Sequence, residues 1–138
     1  MNKIATLLCI AIMPVLMSAT PKADKFTPDE IEGLWKRDGD ELIISFSKVT
    51  RKTVGGNAFI VNPAISELHC ELLKNPVYSE VKFAGENKWT CHYMTVDIVS
   101  CSEAFNVNGI ITLLDDSRML IRCPGVETLY FSRIRPRY

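Results

Sequence analysis

Each thing that is scarce or missing in this sequence of 138 residues closes a route to function. Neither charge is in excess: 16 Lys and Arg stand against 16 Asp and Glu. The basic footprint that neutralises nucleic-acid phosphates is therefore absent. No apolar run reaches the roughly 20 residues that a spanning helix requires. The longest, Ile4 to Met17, is interrupted by Pro14. There is no Cys-x-x-Cys, and structural zinc sites use close cysteine pairs. There is no Gly-x-Ser-x-Gly elbow and no glycine-rich loop joining a strand to a helix. Only His69 and His92 are available as bases near neutral pH. No Asn-x-Ser/Thr acceptor, internal repeat or low-complexity tract occurs.

The N-terminus is informative. Lys3 precedes the apolar run, and Ser18, Ala19 and Thr20 follow it. That is the layout of a secretory signal peptide over residues 1–19. Cleavage after Ala19 leaves no transmembrane segment and predicts a secreted or periplasmic protein. The remaining chain keeps Cys70, Cys91, Cys101 and Cys123. An even count behind a signal peptide predicts two disulfides. Of three possible pairings, Cys70–Cys91 and Cys101–Cys123 are preferred, because each brackets a strand connection.

Residues 20–32 read as a mobile N-terminus and a short capped helix. Thr27 is the expected N-cap, Pro28 the first helical position and Glu30 the capping-box partner. Gly33 ends this helix. From there to residue 138 the period is two. Leu42, Ile44 and Phe46 share one face, and the stretch Val49 to Val54 continues or pairs with that strand. Residues 62–74 are either a short helix or a strand, with the helix favoured. Val77, Ser79, Val81 and Phe83 alternate, as do Trp89, Cys91, Tyr93 and Thr95, with His92 on the opposite face. Ser102 to Asn108 reads as a loop ending in Asn108-Gly109. Ile110–Leu114, Met119–Cys123 and Thr128–Ile134 form an antiparallel meander. About eight short strands with turn signals every 8–12 residues predict one all-β domain, a small antiparallel barrel. Its interior would hold Leu42, Ile44, Phe46, Trp89, Tyr93, Ile110, Met119, Ile121, Leu129 and Phe131.

A short helical turn followed by Gly33-Leu34-Trp35 resembles the Gly-x-Trp opening of lipocalin-type barrels. The resemblance implies that Trp35 plugs the closed end of the barrel. It further implies that a basic residue of the last strand, here Arg133, packs over the indole. The same opening resembles that of bacterial metalloprotease inhibitors, small disulfide-bonded barrels whose N-terminal tail enters the protease cleft. Thr20 to Lys25 would be that tail.

Other residues carry little chemistry. Asp38-Gly39-Asp40 and Asp115-Asp116 lack the further oxygens of a calcium loop and read as turn formers. His69 and His92 read as strand or surface residues. Arg133, Arg135 and Arg137 form a C-terminal basic cluster, with Arg118 and Arg122 near it, that solvates an end of the molecule or contacts an anionic partner or membrane surface. No catalytic residue, metal or cofactor is assigned. The function expected is that of an exported, non-enzymatic binding protein, a lipocalin-like barrel holding a small apolar ligand on Trp89, Tyr93, Met119 and Phe131. The alternative is an inhibitor or interaction module that acts on an exported hydrolase.

Overall fold

The structure, a computed structural model, describes residues 26–62, 75–96 and 103–135. The expected signal peptide and tail, the 63–74 segment with His69 and Cys70, and Cys101, Arg137 and Tyr138 lie outside these residues. Among the described residues no helix is long and apolar enough to cross a membrane.

A single 3₁₀ turn, Pro28–Ile31, precedes eight strands. They are β1 Gly33–Arg37, β2 Ile43–Ser47, β3 Gly56–Asn62, β4 Tyr78–Gly85, β5 Lys88–Val96, β6 Glu103–Leu113, β7 Arg118–Arg122 and β8 Leu129–Arg133. Each pairs antiparallel with the next, and β8 pairs with β1 to close the barrel. Short strands with one apolar face gain most by this closure, which leaves no unpaired edge. The small lipocalin-like barrel expected from the pattern is the fold observed.

The 3₁₀ turn is set by Pro28 at its first position. Thr27 does not cap it through its side chain; the Glu30 N–H bonds the Thr27 carbonyl at 3.1 Å instead. Gly33 then takes φ +113°, a backbone region that side chains resist, and so redirects the chain into β1. This is the structural reason for a glycine two residues before Trp35.

Alternation places the core as expected on β2 and β5. Ile44, Phe46, Trp89 and Cys91 are buried. Four expectations need correction. The stretch Val49 to Val54 is a turn, with Val49 buried against the barrel end and Val54 63 % exposed. On β4 the register slips around Glu80, which has φ +50°. The bulge turns both Tyr78 and Val81 inward, in place of Ser79. Asn108-Gly109 is strand rather than turn, because it sits in the middle of the long β5–β6 ladder. Finally, Ile110 is 48 % exposed, while Ile111 and Leu113 are fully buried. With the loop replaced by strand, the phase of β6 is set by its partner: Trp89 pairs with Ile111.

An up-and-down barrel sends alternate links to opposite ends. The links after β2, β4 and β6 share one end with the 3₁₀ turn. Trp35, Trp89, Ile31, Ile111, Leu113, Met119 and Phe131 fill the barrel there, each at most 1 % exposed. From β2 across to β5 the interior carries an aromatic ladder. Phe46 stacks on Tyr78 at 6.2 Å, and Tyr78 on Tyr93 at 5.2 Å.

Candidate functional site

The closed end is the most heavily bonded part of the molecule. A four-residue 3₁₀ turn leaves carbonyls without partners inside the turn. Here those carbonyls are met by side chains from the barrel. The Trp35 indole N–H donates to the Ile31 carbonyl at 2.8 Å, and that of Trp89 to the Pro28 carbonyl at 3.0 Å. Arg133 supplies the rest. Its Nη1 donates to the Glu32 carbonyl at 2.9 Å, its Nη2 to the Glu30 carbonyl, and its Nε to the Asp116 carbonyl at 2.7 Å. Its guanidinium carbon lies 4.2 Å from the centre of the Trp35 ring. One cation thus ties the 3₁₀ turn, the β6–β7 turn, β1 and β8 together.

The four residues expected to hold a ligand do not share one wall. Trp89, Met119 and Phe131 belong to the packed closed half and are fully buried. Phe83 covers Trp89 at 5.1 Å, and Met119 pairs directly with Phe131 across β7 and β8. Tyr93 lies in the other half, partly buried and stacked on Tyr78.

The cysteines depart from expectation. Cys91 and Cys123 are free, buried thiols, so neither Cys70–Cys91 nor Cys101–Cys123 is formed. The reason is positional. Cys91 faces into the barrel from β5 opposite Gly109, and Cys123 reaches the same glycine from the end of β7. Each therefore has the other as its nearest thiol among the described residues. Burial first, and Cys123 second, push the Cys91 thiol up to about 12, against a weaker opposing hydrogen bond from Gly109. Burial raises Cys123 as well. Buried thiols held protonated in this way are poor nucleophiles.

The polar residues are accounted for locally. His92 points outward, 3.3 Å from the Asn106 amide oxygen, while its neighbour Cys91 points inward. Asp40 accepts from the Leu42 N–H at 2.9 Å and from Arg37 Nε at 2.7 Å, and Asp38 accepts from the Ser132 hydroxyl at 2.9 Å. Asp115 accepts both the Ser117 N–H and hydroxyl. These carboxylates serve their turns. Of the basic residues, Arg133 is folded under the barrel and Arg135 pairs with Asp116 at 2.5 Å beside it, while Arg118 and Arg122 stand exposed on β7.

Three features escaped the sequence reading: the row Cys91–Gly109–Cys123, the Phe46–Tyr78–Tyr93 ladder, and the Glu32 carboxylate that accepts from the Val49 N–H at 2.8 Å. All three join residues from different strands or turns, so only the register of the ladder signals them. No protein-family model matches this sequence, and no curated protein matches it.

Proposed function

We propose that this chain is an exported, non-enzymatic interaction protein that acts through its outer surface on an exported hydrolase. The observation that supports this reading is the packed floor of the barrel. A carrier for a small apolar ligand needs the volume that Trp89, Met119, Phe131 and Trp35 occupy, each at most 1 % exposed. A closed barrel packed across its floor is instead a rigid platform, and rigidity lowers the ordering cost of binding a protein partner. Burial keeps the Cys91 and Cys123 thiols protonated, which favours a binding role over covalent catalysis.

Native mass spectrometry of the exported protein tests the choice between surface and cavity. The bare chain is expected. A reproducible adduct the size of a small ligand, released on unfolding, would overturn the proposal in favour of a carrier. Titration of the protein into a panel of exported peptidases and glycosidases is expected to extinguish one activity at a one-to-one ratio.

A further inference from the structure

The row of Cys91, Gly109 and Cys123 has a geometry that the rest of the molecule does not explain. Cys91 pairs with Gly109 across β5 and β6. The next pair on the other side, Ile110 with Arg122, carries the row on to Cys123. A Cβ at Gly109 would lie 2.5 Å from the Cys123 sulfur and 3.1 Å from that of Cys91. Both sulfurs therefore lean over one glycine from its two sides, in space that any other residue would fill.

Distance selects the chemistry. Adjacent strands are about 4.8 Å apart, which puts β5 and β7 about 9–10 Å from each other. A disulfide needs Cα atoms within about 6.8 Å, so a direct bond requires the strands to move. The two sulfurs lie 2.5 and 3.1 Å from one point over Gly109 and so at most 5.6 Å apart, a gap within reach of one metal ion holding two bonds of about 2.3 Å each. Tetrahedral zinc demands four ligands. Among the described residues no three His, Cys, Asp or Glu side chains converge. Two thiolates in line suit a monovalent d¹⁰ ion, and soft sulfur ligands select copper(I). Cys123 also borders an outer groove of about 390 Å³ with Ile110, Pro124 and Val126.

We propose that Cys91 and Cys123 form a two-sulfur site for one soft monovalent cation of the copper(I) class, seated over Gly109. Binding breaks two S–H bonds, forms two metal–sulfur bonds and releases two protons to solvent. No electron is transferred.

The test uses the full chain from the exported fraction, reduced and kept anaerobic. It is titrated with silver(I), a redox-inert probe of the same class, and with copper(I) held by a competing chelator. Native mass spectrometry is expected to show one ion per chain, retained in the Cys70→Ser/Cys101→Ser variant. Removing one sulfur by Cys91→Ala or Cys123→Ala is expected to lower affinity at least about a hundredfold, and Gly109→Ala, which keeps both thiols, about tenfold. Where an alanine variant fails to fold, silver(I) is expected to protect Cys91 and Cys123 of the wild-type chain from alkylation. Undiminished affinity in either cysteine variant, no protection, or a disulfide at Cys91 or Cys123 in the exported protein would overturn the proposal.

Discussion

At the closed end one side chain does the work of several. Arg133 reaches three backbone carbonyls and the face of Trp35, and those groups belong to segments about 100 positions away in sequence as well as to its own neighbours. Its planar fork makes this possible, because the donors leave a rigid plane in fixed directions. Truncating it leaves the Glu30 and Glu32 carbonyls without this donor and removes the cation over the indole. Arg133→Ala is expected to destabilise the protein by about 2–4 kcal/mol, from charged hydrogen bonds and the cation–π contact together. Arg133→Lys keeps the charge but offers a point donor, and is expected to recover less than half of that. Urea unfolding of the three proteins checks both values; equal stability of the lysine variant and the wild type would show that charge alone matters. The contact between Trp35 and Arg133 was expected only through the resemblance carried by Gly33-Leu34-Trp35; nothing in the spacing of the two residues themselves, 98 positions apart, announces it.

At the scale of the element, β6 shows what alternation reveals and what it hides. The faces of β2 and β5 are legible, since Leu42, Ile44 and Phe46, and then Trp89 and Cys91, keep an unbroken period of two. In β6 the Asn108-Gly109 pair is a strong hairpin signal, and it divides a strand of eleven residues into an apparent loop and a short strand. Pairing with β5 along its whole length overrides that local preference. The error then shifts the phase, so that Ile110 is read as core where Ile111 is core. The cysteine pairing was lost by the same route, since Cys91 and Cys123 meet only across an intact β6. Substitution separates the two phases. Ile111→Ala is expected to cost about 2–5 kcal/mol as a buried cavity. Ile110→Ala, on the outer face, is expected to stay within about 0.5 kcal/mol. Thermal or urea unfolding of the pair decides it, and comparable losses at both positions would contradict the observed register.

For the whole molecule, the acids buried in the barrel set its response to alkali. Tyr78 and Cys91 both face inward, 2 % exposed each. Burial, reinforced by Tyr93 and the two cysteines, holds the Tyr78 hydroxyl well above its ordinary value. Burial, reinforced by Cys123, lifts Cys91 from 9.0 to about 12. In each case the folded chain binds a proton that the unfolded chain releases more readily. The stability that these protons contribute is fully present below the unfolded values and is lost as pH rises through the interval to the folded ones. Stability is therefore expected to be level through neutral pH and to fall above pH 9, by up to about 1.4 kcal/mol per pH unit for each group that has become linked. Cys91→Ala removes one of these groups. It is expected to lower stability at neutral pH through the vacated space, and to flatten the decline between pH 9 and about 12. Tyr78 continues to act in both proteins, so the variant's curve still falls, but the gap between the two curves narrows as pH rises. Urea unfolding at a series of alkaline pH values measures that gap. A gap of constant width would mean that Cys91 ionises alike in the folded and unfolded chains, and that its sulfur is open to solvent rather than sealed over Gly109.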